Sequence, residues 1–496
     1  MKNLATWRNC GGIDTHVINF YKQRWGLAAF IVVLTVLVYF PATRAGFVWD
    51  DDLLLTRNPL VQSSSGLWRM WRPSAEIDYY PVTWTSFWIE WRLWQENPTG
   101  YHIVNILLHA LGALLLWQIL DRLKMRGAWL AAVLFAVHPV NVESVAWVSE
   151  RKNTLSLVFY ALAVLTFLRA ECENKAYKYW GGLGIFVLAL LSKTTGVMLP
   201  LVLLLCAWWQ RGVVTRRDLL RCTPFFLLAI VFGLLTIYSQ QWQLPTTEVR
   251  AIVNRPILFR LGAAGHVFWF YLLKILVPIK LMTEYPLWKF SAITWRFWLP
   301  TISAVAAIVI AWRFRATWGR AVLFALLYFG AMLFPVLGIF NAPYIGRSPV
   351  VTDHLQYLAM IGILTLIAAG ITRIPRPAVN AVIAVIVGSF CFLSWTRASH
   401  YENQEALFSD TLAKNPNAAK AHFELANALI KRGRLDAAVV HYKEAVRLAP
   451  MLKNARWNLA SSLAKQGKYE EAIACFQENI RLWPNIPELH YNFAYE

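Results

Sequence analysis

Trp25-Gly-Leu-Ala-Ala-Phe-Ile-Val-Val-Leu-Thr-Val-Leu-Val-Tyr-Phe40 runs almost directly into Ala45-Gly-Phe-Val-Trp-Asp50-Asp51-Asp52. The first stretch is an apolar helix that crosses a bilayer, and the second sets three adjacent carboxylates at its edge. Charge in such a place is costly unless it meets a cation, a proton or a substrate, so the cluster reads as a functional site. The basic leader before it (Lys2, Arg8, Lys22, Arg24) and the poor cleavage sequence Thr43-Arg44-Ala45 make the first span an uncleaved signal anchor.

The whole chain has the same character. Of its 496 residues, 57% are hydrophobic and 15% charged, against roughly a quarter charged in soluble domains. Its net charge of +20 reads as positive-inside topology, because no basic soluble domain exists to bind nucleic acid. The 25 Trp residues gather near the ends of apolar runs, as an aromatic belt does. The six cysteines include no CxxC pair and suggest neither zinc nor a disulfide framework.

Short basic connections set the topology. Lys2 to Arg24, Asp121 to Arg126, Arg169 to Lys178, Arg211 to Arg221, Arg313 to Arg320 and Arg373 to Arg376 are rich in Lys and Arg. Placing them all on the cytoplasmic side gives about eleven alternating spans, near 25–41, 102–120, 128–146, 154–169, 180–192, 196–210, 222–239, 296–312, 321–338, 355–371 and 378–395. The N-terminus is then inside and the C-terminus outside. The segment 257–279 is apolar but carries Arg260, His266 and Lys274, with Lys280 just after it. A crossing there would break the alternation, so it reads as lying in or dipping into the outer leaflet. In the outer loop 42–100, Trp84, Trp88 and Trp91 share one face of an in-plane helix resting on the headgroups.

From Ser399 charge rises and a period of about 34 residues appears. Asn417 to Pro450 and Met451 to Pro484 align without gaps, matching Leu425/Leu459, Ala426/Ala460, Gly433/Gly467, Ala438/Ala472, Tyr442/Phe476 and Pro450/Pro484. This is the tetratricopeptide pattern, preceded by a half-repeat containing Phe408 and Pro416. Glu496 falls inside the first helix of a third repeat, so the sequence reads as a truncated form of a longer protein. The expected architecture is all-α: a polytopic membrane domain over 1–398, then a tetratricopeptide α-solenoid over 399–496.

Polar groups that reach the outer side with Asp50 include Glu143, Arg151, Lys193, Lys280, Glu284, Arg347, Asp353 and His354. Cations suit a phosphate leaving group and carboxylates suit deprotonation of a hydroxyl. No Walker A or dinucleotide fingerprint occurs. Each residue also has a plainer reading. The aspartates cap a helix or bind Ca²⁺, Glu143 pairs with Arg151, Arg151 and Lys152 anchor the interface, and His102, His109, His138 and His354 are hydrogen-bonded span histidines. Lys193, between two apolar runs, is harder to dismiss, because a buried lone ammonium costs several kcal/mol.

Phe47-Val-Trp-Asp50-Asp51, Tyr80-Pro81, Gly100-Tyr-His102-Ile-Val-Asn105-Ile-Leu-Leu-His109, His138-Pro-Val-Asn-Val-Glu143-Ser-Val-Ala-Trp147 with Arg151-Lys152, and Ser192-Lys193-Thr-Thr-Gly196 to Pro200 fall in one order. In that order they resemble the transmembrane-and-tetratricopeptide protein O-mannosyltransferases, of the GT-C class of polytopic glycosyltransferases. The resemblance covers nearly the whole chain. It implies a dolichyl- or polyprenyl-phosphate-linked sugar, mannose or another hexose, a Ser/Thr hydroxyl of a protein acceptor, and an acidic base in the first outer loop. By that match Asp50 or Asp51 is the base, the third aspartate Asp52 leaving the register open, and Glu143 belongs to the catalytic set. Arg151, Lys193, Lys280 and His354 would hold the donor phosphate, and Tyr80, His102, His138 and Asp353 would line the substrate site. One position departs from the family pattern: Asp353-His354-Leu-Gln-Tyr357 has histidine where the family has arginine, which puts phosphate holding there, and the donor sugar, in doubt.

The implied reaction is inverting and requires no cofactor, though a divalent cation held by the aspartates is compatible with it. The repeats would bind acceptor or partner protein on the outer side, in the periplasm of a bacterium or the lumen of the endoplasmic reticulum. Two other classes compete. A flippase for lipid-linked sugars would move donor without making product, and a non-enzymatic scaffold would need one or two spans rather than eleven.

Overall fold

A computed structural model describes residues 15–72, 79–241, 256–288, 294–339, 351–375 and 377–484. The described chain is helical throughout, with no strand. Among the described residues, six helices are long and apolar enough to cross a membrane, or seven if the bent pair Ala128–Ala136 and Pro139–Ala146 counts as one.

The first helices are α1 (Thr15–Val38), α2 (Pro81–Trp94), α3 (Pro98–Arg122) and α4 (Ala128–Ala136). After a polar crossing come α5 (Arg151–Glu173), α6 (Ala176–Ser192), α7 (Leu199–Arg211) and α8 (Arg216–Gln241). The membrane part closes with α9 (Ile257–Leu276), α10 (Trp295–Arg313), α11 (Gly319–Leu333), α12 (Met360–Ile371) and α13 (Ala378–Ser399). α8 and α13 expose large apolar side chains, among them Ile230, Leu234, Val385 and Phe392, which in a membrane meet lipid rather than water.

The basic connections collect at one end of this bundle. Arg24 pairs with Asp121, Arg221 with Glu171 at 2.7 Å and Arg211 with Asp218 at 2.5 Å, while Arg320 donates to the carbonyls of Trp208 and Trp209. Gly127, at φ +73°, starts α4 there, and a Cβ on it would stand 2.8 Å from the Ala368 carbonyl carbon. Only glycine fits both demands.

At the other end, expected spans are shorter than predicted because turns replace their terminal residues. The segment 128–146 breaks at His138-Pro139. Pro139 has no N–H to continue the helix and drives His138 to an extended ψ of 129°. The chain bends by 48°, and His138 Nδ1 accepts the Val140 N–H. Residues 139–150 therefore run across the end of the bundle instead of through it. The expected span 196–210 likewise begins with a 3-10 turn, Thr194–Met198, before the 13 residues of α7.

α9 makes polar contacts with neighbouring segments. Arg260 donates to the Ile339 carbonyl, Tyr271 accepts the Thr352 N–H, and the Ile275 carbonyl accepts from His138. α2 differs from expectation. Trp84 and Phe87 pack inward on Leu55, Val61 and Tyr101, and the exposed large apolar side chains are Ile89 and Leu93. An inner cluster of loop side chains, not the headgroups, takes its aromatic face.

The repeats follow as α14 (Gln404–Lys414), α15 (Ala419–Lys431), α16 (Leu435–Leu448), α17 (Lys453–Lys465) and α18 (Tyr469–Leu482). Gly433 (φ +72°) and Gly467 (φ +76°) make the inter-helix turns. The start of the third repeat lies outside the described residues. The array packs on the site end of the bundle. Thr283 and Thr411 hydroxyls meet at 2.8 Å, Glu284 accepts the Ala421 N–H at 2.9 Å, and Lys414 donates to the Leu281 carbonyl at 2.9 Å.

Candidate active site

Three aspartates in a row have three different environments. Asp51 is fully buried. Its Oδ2 accepts the Val48 N–H at 3.0 Å, and its Oδ1 accepts the Ser149 N–H at 2.8 Å and the Ser149 hydroxyl. Asp51 thus ties the first loop to the crossing segment. Asp52 turns to the repeats and pairs with Lys431 at 2.6 Å. Asp50 is half-buried, and among the described residues its carboxylate has neither hydrogen bond nor ion pair. Just before it, Trp49 stacks on Trp147 with centroids 4.6 Å apart and planes within 6°.

Burial pushes the Asp51 carboxyl up to about 7, against the pull of its Ser149 and Val48 donors. The folded state therefore binds this proton more tightly than the unfolded chain does. Its contribution to stability is full below about pH 4 and is lost as pH rises through about 7. Lowering the pH from 8 to 5 is expected to stabilise the wild type relative to Asp51→Asn by about 2 kcal/mol. Thermal unfolding of both proteins across that range checks it, and parallel curves would contradict it.

Beyond Trp147 lies a cluster of charge around Glu150, which is completely buried. Glu150 meets Lys152 at 2.9 Å, Lys193 at 3.3 Å and His354 Nε2 at 3.8 Å. Lys193 also donates to Asn153 Oδ1 at 2.7 Å. It occupies the break between α6 and the Thr194–Met198 turn, where the chain leaves helical geometry (φ −162°, ψ 133°). Glu143 accepts both the His354 N–H and Nδ1, each at 3.2 Å. His354 thus stands between two carboxylates, with Trp147 against its ring at 6.0 Å. Asn153 Nδ2 is shared among Ser144, Glu150 and the His354 carbonyl. Nearby polar atoms have no partner among the described residues: the indole nitrogens of Trp49 and Trp147 and the amide of Gln356. Buried groups of this kind are ones that a ligand or water completes.

Asp353 accepts Tyr285 Oη at 2.7 Å and lies 3.4 Å from Arg397. Burial pushes it up to about 7 in spite of that arginine. The sequence places histidine beside Asp353, and the structure brings the guanidinium from α13 instead.

Other predicted site residues lie elsewhere or are already engaged. Arg151 is fully buried and bound to Glu90 at 2.5 Å, to Asn105 and to the Tyr101 carbonyl, so it does not point at the charged cluster. Tyr80 caps the start of α2 at Pro81 and is buried. His102 is buried beside the backbone of Ala45, Gly46 and Ala146, and neither of its ring nitrogens has a hydrogen-bond partner among the described residues. His138 is a hinge residue, donating from Nε2 to the Ile275 carbonyl at 3.0 Å. Lys280 is exposed; its carbonyl accepts from Lys274. Arg347 lies outside the described residues. Among the described residues no group of three or more His, Cys, Asp or Glu is placed to hold a metal.

Sequence reading missed Glu150 as the centre of the cluster, though it lies between Trp147 and Arg151 of the quoted motifs, and it missed Arg397. Arg397 lies just past the expected end of the last span at 395, but α13 continues to Ser399 and buries it.

Residues 81–241 match the family described as dolichyl-phosphate-mannose-protein mannosyltransferase. Residues 426–467 and 458–488 match tetratricopeptide repeats. A protein O-mannosyl-transferase of Caenorhabditis elegans is 24% identical over 444 residues, covering 85% of this chain and 62% of its own length. The Mus musculus protein O-mannosyl-transferases TMTC1 and TMTC4 are 23% and 27% identical, covering 86% and 84% of this chain. The chain spans 58% and 66% of those two relatives.

Proposed function

The chain belongs to the transmembrane-and-tetratricopeptide protein O-mannosyltransferase family, and we propose that it moves a mannosyl group from a dolichyl- or polyprenyl-phosphate carrier to a Ser or Thr hydroxyl of a protein. The carrying observation is that Asp50, alone of the three aspartates, is an unengaged carboxylate. It is one residue from the Trp49–Trp147 stack that leads to the cations on Glu150. The acceptor oxygen attacks the anomeric carbon from the face opposite the phosphate. As the new C–O bond forms, the proton passes to Asp50. The bond from the anomeric carbon to the phosphate oxygen breaks, and the lipid phosphate leaves with its electrons.

Lys152 and Lys193 receive that phosphate, with His354 beside them. Two carboxylates and two ammonium groups balance in the resting cluster, so an entering phosphate adds negative charge and shares the lysines with Glu150 instead of taking them from it. Glu143 and Glu150 orient these cations rather than react. The unpartnered indole N–H groups of Trp49 and Trp147 supply donors for sugar hydroxyls. The charged end would face the lumen or periplasm, where the acceptor meets the repeats.

The test is full-length protein in liposomes with dolichyl-phosphate mannose and a Ser/Thr peptide. Mannosylated peptide is expected, with inverted configuration. Donor crossing the bilayer without product would identify a flippase, and neither would leave a scaffold.

A further inference from the structure

Trp49 sets where Asp50 sits, and the repeats help to hold it. Its backbone lies in the left-handed region at φ +57°, a conformation that a bulky residue keeps only where its surroundings over-determine it. From the membrane part, Trp147 stacks on the indole. From the repeats, Lys420 Nζ stands 4.4 Å from the ring centroid and Phe408 meets the ring edge at 5.8 Å. On either side of Trp49 in the same loop, Lys431 binds Asp52, and the Glu402 carbonyl accepts the Gly46 N–H at 2.9 Å. Lys420, Glu424 and Lys431 fall at helical spacing on one side of α15. Burial raises the Glu424 carboxyl, Lys420 lowers it, and the nearby Asp50 charge adds to the rise. One face of the first full repeat therefore follows the loop from Trp49 to Asp52.

We propose that the repeats are a structural half of the catalytic centre, with Lys420 a positioning residue that acts through Trp49 to hold Asp50 at the reacting atoms. The inference rests on Asp50 as the base. It makes transfer depend on the docked repeats even for a peptide too short to span the array, which a purely recruiting role does not require.

The test uses the full chain in nanodiscs with dolichyl-phosphate mannose and a short Ser/Thr peptide. Lys420→Ala is expected to lower kcat about tenfold through loss of the cation–π contact and the misplacement that follows. The donor KM and the thermal midpoint should stay unchanged. Lys420→Arg restores kcat, because a guanidinium also stacks on indole. Lys420→Met, which keeps the stem and loses the charge, does not. Hydrogen exchange over residues 47–52, which needs no turnover, rises in the Ala and Met variants and not in the Arg variant. Wild-type kcat and exchange in Lys420→Ala would overturn the proposal, as would full recovery by Met or a fall in kcat matched by a rise in donor KM. Asp50→Asn separates the two levels. Activity retained there removes the base assignment, whereas activity lost there with Lys420→Ala unaffected removes only the role of the repeats.

Discussion

Asp50→Asn is expected to lower mannosyl transfer by about 10²–10⁴-fold, the range general-base removal commonly gives, while leaving the thermal midpoint where it was. The amide has the same shape, and the wild-type carboxylate has no partner to lose. Its neighbours should behave oppositely. Asp51→Ala strips acceptors from the Val48 and Ser149 N–H groups and from the Ser149 hydroxyl. Each orphaned buried donor costs about 1–3 kcal/mol, so that variant should melt early and lose activity with its fold. Asp52→Ala breaks a pair whose lysine is half-exposed, 54% by side chain, and such pairs contribute within about 1 kcal/mol. Initial rates and thermal unfolding of the three variants, measured together, decide the assignment. A stable Asp50→Asn with normal turnover would move the base elsewhere, with Asp353 the next carboxylate to try.

The three neighbouring aspartates also show where sequence reading ends. That a carboxylate cluster stands at a membrane edge was legible, because the apolar run and the charges are contiguous. Which carboxylate is unengaged was not. The answer depends on Ser149, some hundred residues away in the chain and brought close by the break at His138-Pro139, and on Lys431 in the repeats. The repeats themselves were legible from their period, since each packs chiefly on its neighbour and carries its pattern locally. Their docking was not, because it runs through single contacts such as Lys420 on Trp49 that leave no periodic trace. Span lengths failed for a related reason. Apolar composition continues through 196–198 and 355–359, but the backbone turns there to deliver Lys193 and His354 to the cluster.

Arg151 is a cation whose motif position suggested phosphate and whose contacts are Glu90, Asn105 and the Tyr101 carbonyl. Arg151→Ala is expected to cost about 3–5 kcal/mol of stability, the price of a buried carboxylate left alone. Glu90 is that carboxylate, its side chain 7% exposed. Burial already raises its carboxyl although Arg151 pulls it down. Without the guanidinium the folded state would hold the Glu90 proton still more tightly than the unfolded chain. The penalty should then be greatest above the raised folded pKa and shrink as the pH falls toward the unfolded value near 4. Arg151→Met with Glu90→Gln, which removes both charges and keeps most of the volume, should recover much of the loss. The folded fraction of either variant should still bind dolichyl-phosphate mannose with wild-type affinity if, as proposed, the phosphate cations are those on Glu150. Thermal unfolding across pH 5 to 8 and donor binding on the folded fraction separate the two roles. Normal stability with weakened donor binding would return Arg151 to the phosphate site, and the partition of charge between the Glu90 and Glu150 clusters would then be wrong.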